Sequence, residues 1–536
     1  MIKIVVEHSK IIINDYDLGD CESLENFFSI FDPSTHTRFP FGMYYKQEER
    51  QLVIPRGVDI SYIKNKFNCI PQLNKRHDPM DKIEPIKLRH PPRDNNQRET
   101  LRFMLGKSEY YYTTTKSMLA VNLAPGVGKT YCSIATSAFI GYRSIMLTSS
   151  LSWIEQWKQE ILKYTDIKPR EIFIIAGTPS IHSILKQGVH KFKFILASMD
   201  TIISYGQKYG FDKISELFVK LRVGIKYIDE AHLNFKAMML IDFYTNTYKN
   251  YYLTGSPCRS SEDQDRIYKI YFKNVPSIDL FDETKDPHTD YLGMRYNSHP
   301  TAADISYCKN KYGLDRNKYT GDYIIRRPNF YNILRVIIDR TLAKNGKILF
   351  YIGVNRSIEV VKAWMEMYYP FLIGHIGIYT STTSKDIKRS QLDKKYILST
   401  TKSCGAAMDI KGLATTVILA EPFKSEPLAI QTLGRTRDDD TECIEAVDEG
   451  FNAIMRFYYQ KQPIMKKYAL SVNDVRYKDE TLEDKINEIF DRYYGDGEFP
   501  VIYIDNKKIF MLRQELRPIN EYDSKGRKVF MKRDKF

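Results

Sequence analysis

Cysteine is scarce and scattered. The seven cysteines, at 21, 69, 132, 258, 308, 404 and 443, form no C-x-x-C pair, which argues against a zinc or iron–sulfur centre and for a reducing compartment. Long apolar runs are missing as well. None approaches the roughly 18 residues that span a bilayer, and the opening MIKIVVEHSK has no basic stretch followed by an apolar one, as a secretory leader requires. The expectation is a soluble, unsecreted, cytoplasmic protein with no membrane partner. No low-complexity tract occurs, and no internal repeat beyond an echo between two α/β stretches. Acidic residues are outnumbered: 80 Lys and Arg against 66 Asp and Glu leave a formal charge of +14, spread along the chain rather than gathered in a tail. That surplus favours a polyanionic partner, of which nucleic acid is the commonest, although a merely soluble basic protein would carry it too. The 39 tyrosines and 28 phenylalanines could stack on bases, but most should serve packing.

At 536 residues the chain has room for roughly three or four domains. It is organised around Ser117 to Thr130, SMLAVNLAPGVGKT. An apolar strand ends at Leu123, two glycines follow, and a helix-compatible run begins after Lys129 and Thr130. Glycines let backbone N–H groups close on phosphate oxygens at the positive end of a helix. Ala124, Pro125, Gly126, Val127 and Gly128 would form that cradle. Lys129 would reach the β- and γ-phosphates, and Thr130 would offer its hydroxyl to Mg²⁺. The full pattern G-x-x-x-x-G-K-[ST] wants glycine at 123, where Leu123 stands. Independent support comes from GIKYIDEAH, a second apolar strand that runs into Asp229 and Glu230. One carboxylate there completes a Mg²⁺ site, and its neighbour can orient and deprotonate the attacking water. The cofactors read from these two stretches are ATP and Mg²⁺.

Residues 1–75 read as a small α/β module and 76–95, rich in Pro, Asp, Asn and charge, as a linker or extended lead-in. From 96 to 270 helices alternate with apolar strands, as in a mainly parallel sheet. The polar clusters Thr148 to Ser150, Ala197-Ser198, Asp229-Glu230 and Thr254 to Ser256 fall at carboxyl ends of those strands, where such sheets place their chemistry. Residues 271–335 are less regular and read as a hinge with an insertion. A second α/β pattern occupies 336–470, and 471–536 reads as a C-terminal extension. The fold class expected is α/β: two parallel-sheet domains with a small α/β N-terminal module and a short C-terminal extension.

With these motifs in place, the chain resembles a superfamily 2 helicase of the DEAH type. LAPGVGKT stands as motif I, SSLSWIEQW as Ia, ASMDTI as the next strand-contacting motif, DEAH at 229–232 as II, TGS at 254–256 as III, STTKSCGAAMDI as V and QTLGRTRD at 431–438 as VI. The resemblance covers roughly residues 90 to 460 and implies two tandem recA-like domains with ATP between them. It implies that Gln97 reads adenine and that Ser150, Ser198, Thr201 and Thr400 touch the nucleic-acid strand. His232, Thr254, Ser256 and Gln431 would couple hydrolysis to movement. Arg435 and Arg437 would stabilise charge on the transferring phosphoryl group, a role worth about 10³ to 10⁵ in rate for arginine fingers. The bland alternatives are that Gln97 caps a helix, that His232 is a structural hydrogen-bonding group, and that Ser198 and Thr201 are ordinary strand-end residues.

The chain departs from the family pattern at three points. Motif VI spacing places a second arginine at 438, where Asp438 stands after Arg437. Either Arg437 takes over through a local shift or one finger is missing. Ala407 replaces a motif V glycine two residues before Asp409, and Ser149 replaces a motif Ia proline. A narrower likeness is to phage recombination and branch-migration helicases of the UvsW type. It rests on the succession of elements in the first 70 residues, on VNLAPGVGKT, and on VDEGF followed by RFYYQKQPIMKKYA. It implies a monomeric, 3′-to-5′ motor acting on branched or forked DNA in recombination, repair or replication. The N-terminal module would help grip the DNA, alongside recombination or replication proteins. The rivals are a double-strand translocase, an RNA helicase, and a nucleic-acid clamp that binds ATP but barely hydrolyses it.

Overall fold

The computed structural model describes residues 2–510 apart from 16–17, 33–36, 47–49, 111–112, 114–115, 124–126, 150, 255–261, 281–287, 312, 405–409, 424, 434–440, 495–500 and 505–506. The chain divides into two compact units, Met1–Lys285 and Asp286–Phe536. Among the described residues no helix is long and apolar enough to cross a membrane.

The first unit opens with the small module. Strands β1 (Lys3–Val6), β2 (Lys10–Asn14), β5 (Tyr44–Lys46), β6 (Gln51–Pro55) and β7 (Gln72–Leu73) form a sheet in the order β5-β6-β2-β1-β7. Helices α1 (Leu18–Phe28) and α2 (Ile60–Phe67) and the hairpin β3 (Ser29–Asp32) and β4 (Thr37–Pro40) complete it. The module has no separate core. Ile11, Ile13, Leu52 and Ile54 belong to one buried cluster with Phe235, Met238 and Tyr271 of the following domain. The segment 76–95 is docked rather than free. Asp81 pairs with Arg143 at 2.8 Å and also with Arg222, and isolated bridges join Lys82 to Tyr142 and Leu88 to Thr165.

Then come α3 (Asn95–Leu105), β8 (Met118–Asn122), α4 (Lys129–Ile140), β9 (Ser144–Thr148), α5 (Leu151–Tyr164), β10 (Ile172–Ile175) and α6 (Thr178–Gln187). They are followed by β11 (Phe194–Ser198), α7 (Met199–Tyr209), α8 (Asp212–Leu221), β12 (Ile225–Ile228), α9 (Phe235–Tyr244), β13 (Lys249–Thr254), α10 (Glu262–Phe272) and β14 (Ser277–Asp279). The strands form one seven-stranded sheet, β10-β11-β9-β12-β13-β8-β14, with every pair parallel. β9, β11 and β13 are buried at every position, as strands covered on both faces must be.

The second unit repeats the plan. Its elements are β15 (Thr289–Tyr296), the hairpin β16 (Lys309–Asn310) and β17 (Gly313–Leu314), α11 (Pro328–Leu342), β18 (Lys347–Ile352), α12 (Asn355–Tyr368), β19 (Ile376–Tyr379) and β20 (Tyr396–Ser399). After them run β21 (Leu413–Ala420), α13 (Glu426–Leu433), β22 (Thr441–Asp448), α14 (Asn452–Tyr468), β23 (Val472–Arg476) and α15 (Asp479–Tyr494). The sheet order is β19-β20-β18-β21-β22-β15-β23, again parallel throughout. The architecture is thus two tandem recA-like parallel-sheet domains with an α/β module at the N-terminus.

Two segments differ from expectation. Residues 271–335, expected as a hinge with an insertion, also contribute a strand to each sheet: β14 pairs with β8, and β15 lies between β22 and β23. β14 is three residues long, too short to announce itself. β15 carries Gly293, where a Cβ would lie 2.4 Å from the Tyr458 hydroxyl, so close packing overrides weak strand propensity. The start of the C-terminal extension is likewise part of the second domain, because β23 is the sheet's edge strand beside β15.

Candidate nucleotide and nucleic-acid site

Three adjacent strands, β12, β13 and β8, bring the candidate residues to one edge. β8 ends at Asn122, and α4 begins at Lys129. Gly128 caps α4 at φ +111, where a Cβ would lie 2.3 Å from Gln97 Nε2. Only glycine combines that dihedral with so close an approach. Ala124, Pro125 and Gly126 lie outside the described residues. Lys129 donates from Nζ to the Leu123 carbonyl at 2.8 Å, which anchors its ammonium just beyond the end of β8, and Thr130 follows in the first turn of α4.

Gln97 is buried, with its side chain engaged at both ends. Nε2 donates to the Val127 carbonyl at 2.8 Å, and Oε1 accepts from Arg93 N at 2.8 Å. The N-cap of α3 is Asp94, whose Oδ1 accepts from Gln97 N, and the glutamine side chain ties this helix to Val127, just before α4.

Asp229 and Glu230 follow β12, each 7% exposed. Asp229 Oδ2 accepts a 2.8 Å hydrogen bond from Trp157 Nε1 of α5. Burial first, and the Glu230 charge second, push the Asp229 carboxyl well above the usual carboxylate range, while the Trp157 N–H and the Lys129 ammonium oppose that rise. Glu230 has φ +48, a left-handed conformation that is uncommon for a non-glycine residue and is maintained only where neighbours over-determine it. Here Ala231 N donates to the Leu253 carbonyl and Leu233 N to the Glu230 carbonyl. His232 Nδ1 lies 2.9 Å from Thr254 Oγ1 and 3.4 Å from Glu230 Oε2. Leu123 N donates to the Thr254 carbonyl, so Thr254 touches both the histidine and the start of the loop.

The residues present fit a phosphate–metal ligand. Asn122 Oδ1 and Ser149 Oγ, at the carboxyl ends of β8 and β9, are buried with no hydrogen-bond partner among the described residues. Buried polar atoms ordinarily have one. Thr130 and Asp229 supply oxygens of the type Mg²⁺ takes.

Ser198 caps α7. Its Oγ accepts from Thr201 N at 3.2 Å and lies 2.8 Å from Thr201 Oγ1. Asp200, between them, accepts from Asn234 Nδ2 at 2.6 Å, linking this turn to the segment after His232. In the second unit Thr400 follows β20, and its Oγ1 accepts from Ser403 N at 3.1 Å. Ser150, Ser256, Arg435 and Arg437 lie outside the described residues, as does the side chain of Gln431 on α13. Sequence reasoning passed over Trp157 and Asn234. The rarity of tryptophan, three in the chain, was the available signal for the first.

No protein-family model matches the chain, and no curated protein matches it. Among solved structures, that of S. cerevisiae Dbp5 bound to RNA and ADP BeF3 is similar over 76% of this chain and 93% of that chain, at 15% identity and a TM-score of 0.49. The crystal structure of T4 UvsW is similar over 89% of this chain and 99% of that chain, at 13% identity and a TM-score of 0.35. Both scores lie below 0.5, so the functional reading rests on the site's own residues.

Proposed function

We propose that the chain is an ATP-dependent motor of the superfamily 2 helicase type that remodels branched or forked DNA in the cytoplasm, moving 3′ to 5′. The observation that carries this reading is the convergence of Gly128, Lys129 and Thr130 with Asp229 and Glu230 at the carboxyl edge of one parallel sheet. There Leu123, whose carbonyl accepts from Lys129, donates its N–H to the Thr254 carbonyl, and Thr254 meets His232 beside Glu230. Lys129 and the loop Ala124 to Gly128, through the N–H groups of its residues other than Pro125, would bind the ATP phosphates. Thr130 and Asp229 would hold Mg²⁺, which when bound would neutralise charge on the phosphates. Glu230 orients water and takes its proton. Arg435 or Arg437 supplies positive charge to the transferring group. Gln97 is assigned to adenine by way of its hold on the loop. His232, Thr254, Ser256 and Gln431 relay the state of the site. Ser150, Ser198, Thr201 and Thr400 grip the strand, and residues 1–75 add a further DNA contact. The His232, Thr254 and Glu230 contacts support the relay, because a change at Glu230 reaches the end of β13 through two side chains.

The test is steady-state ATPase activity with forked DNA, linear duplex, single strand and RNA. Forked DNA should stimulate most. Stimulation by RNA alone would make the chain an RNA helicase, stimulation by linear duplex alone a double-strand translocase, and no stimulation a clamp.

A further inference from the structure

We propose that the second domain carries a separate single-strand track, formed by Arg316, Arg456, Tyr459 and Lys466 and running from the carboxyl edge of its sheet along α14. This rests on the nucleic-acid reading above and adds a surface that the motif residues do not include.

Charge comes first. Residues 307–327 hold six bases against two acids, and α14 holds four bases and no acid. The acids nearby are already engaged. Asp315 accepts from the backbone of Asn317 and Lys318. Asp322 accepts from Arg356 at 3.2 Å and from the Tyr307 hydroxyl at 3.1 Å, and Asp304 pairs with Arg327 at 2.7 Å. On α14, Lys461 is buried against Glu445 and the Phe423 ring. Arg456 and Lys466 are exposed, and no carboxylate pairs with them or with Arg316 among the described residues.

Placement comes second. The turn after Arg316 is fastened to the sheet's carboxyl edge: Thr320 Oγ1 donates to the Ala420 carbonyl at the end of β21, and the Tyr319 hydroxyl to Asp448 at the end of β22. Parallel sheets bind their ligands at that edge. Burial lowers the pKa of the Arg316 guanidinium against the opposing charge of neighbouring Glu421, and Glu421 accepts from Thr401 N at 2.9 Å. The track therefore adjoins Thr400. Phe457 links the two elements, with the guanidinium carbons of Arg316 and Arg456 each 6.0 Å from its ring centroid.

Shape comes third. Arg456, Tyr459, Pro463 and Lys466 recur every three or four residues and are all exposed, a stripe of about 15 Å at the helical rise. Tyr459, midway, is 57% exposed. Pro463, inside the helix, has no N–H to donate to the Tyr459 carbonyl. Cations flanking an exposed ring are what single strands use: phosphates on the charges, a base on the ring.

The test is fluorescence anisotropy of labelled single strand and duplex over a salt series, with Arg316→Ala/Arg456→Ala, Tyr459→Ala and a control, Lys213→Ala/Lys485→Ala, that removes two positive charges elsewhere, each paired with a glutamate. Losing two phosphate contacts should flatten the single-strand salt slope by about 1.4 and weaken binding about 15-fold at roughly 0.15 M salt. Tyr459→Ala should weaken it about tenfold with the slope unchanged. The control should match wild type. Variants that melt like wild type and bind single strand as the control does would overturn the track. Losses on duplex alone would overturn its assignment to single strands. A wild type that binds no nucleic acid would instead refute the functional reading.

Discussion

Replacing Trp157 by Phe removes one hydrogen bond and leaves most of the packing. In the wild-type chain the indole N–H lies 2.8 Å from Asp229 Oδ2 inside a nearly closed environment, with Trp157 3% exposed. A hydrogen bond to a charged group contributes about 1.5–3 kcal/mol. At about 1.4 kcal/mol per tenfold, its loss corresponds to a roughly 10- to 150-fold weaker hold on whatever Asp229 binds. Partners of metal-ligating side chains show a similar scale, about 10- to 100-fold. The assay is ATP hydrolysis against Mg²⁺ concentration at saturating nucleic acid. Trp157→Phe should raise the half-saturating Mg²⁺ by at least about tenfold, with most of the maximal rate recovered at high Mg²⁺. Trp153→Phe, one turn earlier on α5 and also buried, controls for lost packing and should leave the Mg²⁺ dependence alone. An unchanged Mg²⁺ curve in a stably folded Trp157→Phe would refute the assignment of Asp229 to the metal.

Gly128→Ala should weaken ATP binding at least about tenfold, because the new Cβ meets Gln97 and the dihedral costs roughly 1–3 kcal/mol. Adding Gln97→Ala should recover only part of the loss, and full recovery in nucleotide titrations would show that the dihedral is dispensable. Asp242→Asn would strand the fully buried Lys226 ammonium, which Asp242 now accepts along with the Tyr252 and Tyr271 hydroxyls. Urea denaturation should show a loss of about 3–5 kcal/mol, and a loss below about 1 kcal/mol would contradict the pairing. Burial first, and His77 also, hold His8 below its ordinary value of 6.5 against the raising effect of Asn246 and Glu7. The unfolded chain then takes up the proton first, so this contribution to stability is complete above about pH 6.5 and lost as pH falls through the lower folded value. Thermal melts should show a smaller acid-induced drop in His8→Gln than in wild type, and equal drops would contradict it.

The strands of both sheets were legible because buried parallel strands read as apolar runs, and LAPGVGKT and IDEAH were legible because their polar residues sit at the ends of such runs. What escaped was whatever depends on distant neighbours. Nothing local marks Trp157 as the partner of a carboxylate 72 positions away, or forces Glu230 to φ +48. α9 has almost no amphipathic pattern, since eight of its ten residues are buried, and that follows only once the N-terminal module is seen to share its core. β14 and β23 are made strands by their partners β8 and β15 rather than by their own composition.

The most direct measurement is ATP binding and steady-state hydrolysis by Glu230→Gln beside wild type, with forked DNA present. If Glu230 activates the water, the variant binds ATP as wild type does while turnover falls by at least about 10²-fold, the scale of a lost general base. Undiminished hydrolysis in the variant would contradict the assignment of this edge of the sheet as the catalytic centre.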